Sequence, residues 1–261
     1  MRMALTKRRL AAAVLACSLF AGSAGAATGL PFLTQVSGAR ALALAEAAVA
    51  LPADQASANP AALDPAAAGL GLSHSRWIGD VRLEQVHLAA PRDAGAYGLA
   101  LHLARADGLE RRTGPSAEPL GEFGVYDAVL SLSYARPAGE RLRWGLSGKL
   151  IRQSIFTRSA SGAALDAGLV YRLRPDLRLG AALANLGGMG ELDREATELP
   201  LLGRVGLAYD GVDRLLVGTE VFTGFHIDHS GQAVGHGRTH RSGLDTFGIR
   251  GIDMAGTADL R

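Results

Sequence analysis

Cysteine is almost absent from this chain. Cys17 is the only one, and it sits in a leader-like stretch that export would remove. The remainder then has no disulfide framework, no thiol nucleophile and no cysteine-based zinc site. Long apolar runs are missing as well. After residue 26 no segment holds ~18 uninterrupted apolar residues, which excludes membrane-spanning helices. Nor is there surplus positive charge. Four of the 27 basic residues and none of the 25 acidic ones lie in residues 1–26, leaving 23 − 25 = −2. The formal +2 of the whole chain therefore implies no nucleic acid, since no basic patch remains to neutralise phosphates. Catalytic signatures are lacking too. No nucleophile-elbow sequence occurs, and Gly187-Gly188-Met189-Gly190 has neither the strand-to-helix context nor the lysine of a phosphate cradle.

What is present begins with an export signal. Arg2, Lys7, Arg8 and Arg9 form a basic region, Leu10 to Phe20 an apolar core, and Ala24-Gly25-Ala26 a small-residue cleavage site. That core is too short for a retained anchor of ~20 residues. Val14-Leu15-Ala16-Cys17 is a loose alternative lipoprotein site, with Leu15 bulky and the preceding apolar run brief. Residues 1–26 are read as a signal peptide, and the remaining 261 − 26 = 235 residues suffice for one domain.

From about residue 81 a hairpin recurs. Leu130 to Pro137 leads to Leu142 to Leu146, Leu165 to Tyr171 to Leu177 to Ala181, and Val205 to Tyr209 to Leu215 to Gly218. The closing tyrosines stand 37 and 38 residues apart (171 − 134 and 209 − 171), so each unit is expected to be one hairpin plus one long loop. Within the strands, period-two alternation separates two faces. Leu130, Leu132 and Tyr134 oppose Val129, Ser131 and Ser133; Trp144 and Leu146 oppose Arg143, Ser147 and Lys149. A soluble sandwich produces the same alternation. Tyrosines and Trp144 near strand ends on the leucine face, with strands of ~9–11 residues, favour an antiparallel transmembrane β-barrel. Short turns fall at Pro91-Arg92-Asp93, Pro137-Ala138-Gly139, Arg174-Pro175-Asp176 and Asp210-Gly211-Val212, with longer polar connections expected near 105–124, 154–161, 186–202 and 227–242. Nine strands are expected from 69 to about 226, and a tenth near 244–251.

A different segment precedes the strands. Val36 to Leu51 is alanine-rich and helix-favouring, Pro52 stops it, and Asn59-Pro60 is a helix-start signal. Residues 27–68 are read as a helical hatch. Two placements remain open: a periplasmic brace at the barrel foot, or a plug in the lumen.

Gly38-Ala39-Arg40, Ala47 to Leu51 and Asn59-Pro60-Ala61, in that order, resemble the amino-terminal signature of FadL-like outer-membrane transporters, and most closely their PorV/PorQ branch. Ser73 to Trp77 with Asp80, Ser133 to Pro137, Ile151-Arg152-Gln153 and Asn185-Leu186-Gly187 are similar to that branch as well. The resemblance covers roughly residues 36–225. It implies a monomeric barrel of about fourteen strands with an amino-terminal hatch that passes hydrophobic compounds across the outer membrane; PorV-type members instead partner protein secretion and surface attachment. Such barrels commonly finish on a closing strand with an aromatic end, whereas here alternation vanishes after Leu244 to Gly251. Residues 69–261 are thus expected to form a barrel whose closing strands are missing after about 251, leaving an open wall.

The candidate site residues follow. Arg40, Asn59, Pro60 and Ala61 are the ligand or gate positions that the resemblance implies. Arg143, Lys149, Asp166 and Glu220 are expected to face the lumen, solvated by pore water. His226, His229, His236 and His240 cluster in one expected loop at spacings a metal could use, but no acidic or cysteine partner has fixed spacing, and no metal is expected. No catalytic residue and no cofactor are expected. The partners expected are outer-membrane lipid and a hydrophobic small molecule, or a secreted protein cargo. A barrel hydrolase is a further alternative, which would need a Ser/His pair on the wall.

Overall fold

The computed structural model describes residues 30–35, 39–53, 56–66, 68–93, 95–115, 118–192, 195–212, 215–227, 233–242 and 252–254. The expected signal peptide, His229 and residues 244–251 lie outside them. Strands β1 (Gly69–Arg76), β2 (Arg82–Arg92), β3 (Gly95–Arg111), β4 (Gly121–Ala138), β5 (Leu142–Ile155), β6 (Arg158–Arg174) and β7 (Leu177–Met189) follow one another. A small ribbon, β8 (Glu191–Leu192) with β9 (Glu195–Ala196), interrupts the series before β10 (Leu201–Val212), β11 (Leu215–Ile227), β12 (Ala233–Ser242) and β13 (Ile252–Met254).

The main sheet holds 11 strands in the order β1 to β7, β10, β11, β12, with β13 also on β11. Every pairing in it is antiparallel. Among the described residues β1 pairs only with β2 and β12 only with β11, so the wall is an open half-barrel. Nine of its strands lie between residues 69 and 227.

Three local expectations are corrected. The connection near 154–161 is a tight turn, because β5 runs to Ile155 and β6 starts at Arg158; polar side chains at strand ends imitate a loop in sequence. Residues 227–242 are not one connection but contain β12, so His236 and His240 lie on a strand opposite Gly224 and Val221. Seven strands of the main sheet are also longer than ~9–11 residues: β4 has 18, β3 and β6 have 17 each, and β5, β7, β10 and β11 have 12 to 14.

The two faces divide as alternation requires. Outward, register places Tyr97 by Tyr134, Leu99 by Leu132, Leu101 by Leu130 and Leu103 by Ala128, continuing through Leu146, Leu150, Leu165, Leu169 and Leu183, all exposed. Tyr126 and Tyr134 bound this band on β4, eight positions apart (134 − 126). That is about 27 Å of strand, or about 20 Å of height at ~40° tilt, close to the apolar belt of a membrane barrel. Tyr134 packs against Tyr97 (centroids 4.9 Å) and Trp144 (5.8 Å).

The N-terminal segment packs on the face opposite the leucine band, over Gly145, Gly168 and Gly180. Its helix is far shorter than expected: α1 spans only Ala39–Ala43, and Ala45 and Glu46 turn the chain with φ of 50° and 64°. Ala47, Ala48, Val49, Ala50 and Leu51 are then buried consecutively, which a one-sided helix cannot achieve. Close packing on the wall overrides alanine's helix propensity.

Candidate functional site

Two tiers of the hatch meet the lumen wall. The lower tier sits nearer the short turns, at the end where β1 begins, since Gly69 pairs with Ala89. Its seat is a set of glycines on adjacent strands. Gly145 lies under Pro60 and Ala61, Gly168 under Asn59, and Gly180 under Val49 and Ala50; a Cβ at any of them would overlap hatch atoms. Gly145 and Gly168 are register partners. Absence of side chains lets the two backbones approach.

Asn59 fastens this tier. Its Nδ2 donates to the Val49 carbonyl within the hatch (2.7 Å) and to the wall carbonyls of Leu169 (3.1 Å) and Ala181 (3.3 Å). Its Oδ1 accepts from the Ala61 amide (2.9 Å), capping the 3-10 turn Pro60–Ala62. Asn59, Pro60 and Ala61 are fully buried. They form a clamp rather than an exposed gate lip. Arg40 lies in α1, and its side chain is outside what the structure describes.

The upper tier, Leu30 to Gln35, covers a polar belt. Lys149 Nζ pairs with Asp166 Oδ2 at 2.6 Å, their side chains 13% and 3% exposed. Lys149 also donates to Asn185 Oδ1 (2.8 Å), and the Asn185 amide donates to Asp166 Oδ1 (2.8 Å). Asn185 Nδ2 reaches the carbonyl of Pro200 (3.0 Å), and Arg204 Nη2 donates to that of Thr34 (2.8 Å). Lys149 and Asp166 thus face inward, Asp166 buried and Lys149 half-buried, which corrects the expectation of full solvation by pore water. A buried charge persists only when paired and hydrogen-bonded.

Arg143 faces inward and is half-buried, with Nε and Nη2 lacking a hydrogen-bond partner. Glu220 lies on β11 opposite Gly206, its side chain outside the described set. Sequence reasoning missed Asn185 and Arg204 as members of the belt. Alternation along Leu202-Gly203-Arg204 could have located Arg204. Asn185 carries a left-handed φ of 64° at a register break between β6 and β7, so alternation fails there. Ser133 and Ser147, register partners, share a buried hydrogen bond of 2.6 Å. Between the upper tier and the wall, a cavity of about 40 Å³ is lined by Phe32, Gln35, Ser57, His87, His102 and Lys149 among others. That is room for water, not for a solute.

No family model matches the chain, and no curated protein matches it. Among solved structures it is similar to the outer-membrane expressed OmpT of Vibrio cholerae, with 13% identity and a TM-score of 0.43 over 62% of this chain and 57% of that one. It is also similar to a deletion mutant of TodX, a monoaromatic hydrocarbon channel, with 13% identity and a TM-score of 0.42 over 62% and 60%. The chain spans less than two thirds of the length of either. At this distance the likeness is one of β-sheet architecture and assigns no activity.

Proposed function

We propose that this chain forms the wall and hatch of an outer-membrane β-barrel through which hydrophobic small molecules pass passively, without chemical conversion. The supporting observation is a single sheet with an outward leucine band bordered by tyrosines and an inward face covered by the chain's own N-terminal segment. A soluble sheet would leave that band as a large exposed apolar patch; in a bilayer it is solvated by acyl chains. The FadL-like resemblance points to the same reading. The cavity under the upper tier holds about 40 Å³, and movement of that tier would be the step that admits a solute. The test is uptake of a fatty acid and an aromatic hydrocarbon by proteoliposomes carrying the full chain. Uptake above protein-free vesicles supports the reading. Unchanged uptake, or recovery of the chain as a soluble species without detergent, overturns it.

A second reading, a barrel partner for a secreted protein, is favoured by the β3–β4 hairpin. It runs past Arg105 to Arg111 and carries Asp107, Glu110 and Glu122 beyond the leucine band. Retention of a secreted cargo by the full chain, lost on shortening this hairpin, would favour that reading over transport.

A further inference from the structure

We propose that the outward face carries a site for the phosphate of a membrane phospholipid, built from Arg92, Arg136 and the hydroxyl of Tyr134. It rests on the reading of the leucine band as the lipid-facing surface.

Register assembles the site. Arg92 pairs with Gly95; Ala96 pairs with Ala135, which sets Gly95 level with Arg136; Arg136 pairs with Trp144. These positions form one row across β2 to β5, at the short-turn border of the leucine band. Gly95 contributes no side chain, and the Tyr134 ring occupies its place. A Cβ at Gly95 would stand 3.1 Å from Tyr134 Cε2 and 3.2 Å from the hydroxyl. The phenol is therefore held between two arginines whose strands lie about 10 Å apart, two inter-strand spacings. Guanidinium groups on long side chains can converge across that gap on one anion.

Several other arginines are taken up by carboxylates. Arg105 pairs with Asp107 and Arg178 with Asp210, while Arg76 lies 3.6 Å from Asp80. Arg92 and Arg136 are exposed, and among the described residues neither makes an ion pair, even though Asp93 adjoins Arg92. At the edge of an acyl layer the anion within reach is the headgroup phosphodiester, which guanidinium groups bind in charge-assisted, paired hydrogen bonds. The acyl chains would lie along Leu99, Leu132 and Leu146, all exposed on the same face.

The test uses the full chain, first floated with phosphatidylglycerol liposomes and then extracted and exchanged into detergent, with retained lipid counted by native mass spectrometry. One retained phosphatidylglycerol is expected. Arg92→Gln with Arg136→Gln should lower retention at least about ten-fold, as loss of hydrogen bonds to a charged group would, and Arg105→Gln should leave it unchanged. Tyr134→Phe, which removes only the hydroxyl, should lower it less; this variant serves if the double substitution does not fold. Diacylglycerol, lacking phosphate, should not be retained, and inorganic phosphate should not displace the lipid. A floating chain whose double variant keeps its lipid overturns the site and leaves the membrane reading intact. A chain that does not float overturns both. Displacement by inorganic phosphate overturns the assignment to lipid.

Discussion

The two tiers of the hatch are held to the same wall by opposite physics. The lower tier sits on Gly145, Gly168 and Gly180 and brings backbone against backbone, with Asn59 as a polar clamp. The upper tier covers Lys149, Asp166, Asn185 and Arg204, and its own backbone supplies the carbonyl of Thr34. One contact is made by removing side chains, the other by satisfying them. A seat of missing side chains tolerates no added atom, whereas a polar belt tolerates no missing partner. Each tier is therefore vulnerable to a different kind of substitution.

That contrast can be broken most forcefully at Lys149. Lys149→Met leaves Asp166 as an uncompensated buried charge, and a loss of about 3–5 kcal/mol is expected in unfolding free energy measured in detergent. Adding Asp166→Leu should restore only part of it, since the uncompensated charge is removed but the Asn185 amide and Oδ1 lose their partners; full restoration would mean that Asn185 does not belong to the network. Next is Gly168→Ala. Its Cβ meets Asn59, and overpacking of this kind costs about 1–3 kcal/mol. Limited proteolysis should then cut the 44–63 stretch faster than in the parent. Asn59→Ala removes the clamp without adding bulk, and a loss of about 1–2 kcal/mol with faster amide exchange at Ala61 is expected. Smallest is Arg204→Gln, which removes the bond to the Thr34 carbonyl. Exchange should rise in residues 30–35 and stay unchanged at Val49 and Ala61; equal loosening of both stretches would abolish the distinction between the tiers.

The wall was legible because alternation is a local property. Leu130, Leu132 and Tyr134 declare their face without knowledge of their neighbours, and the prolines and glycines of the short turns mark one end of the sheet. Errors arose where local chemistry and tertiary setting disagree. Ser154 and Arg158 look like loop residues, yet they flank a tight turn in strands that continue past the apolar band. The alanines after Val36 favour a helix in isolation, but consecutive burial from Ala47 to Leu51 requires an irregular path pressed between strands. At the site, alternation puts Lys149 and Asp166 on one face. It cannot reveal that hatch residues from more than a hundred positions away would cover them, nor that Asn185 would join through a break in register. Partners across that distance leave no spacing to read.

The clamp at Asn59 also orders events in time. Its bonds to Leu169 and Ala181 join positions 110 and 122 residues apart, so the segment made first can be tied down only after β6 and β7 exist. Long-range closures of this sort are slow to form. Assembly of this molecule therefore passes through a stage in which β6 and β7 are in place and the amino-terminal stretch is not yet clamped.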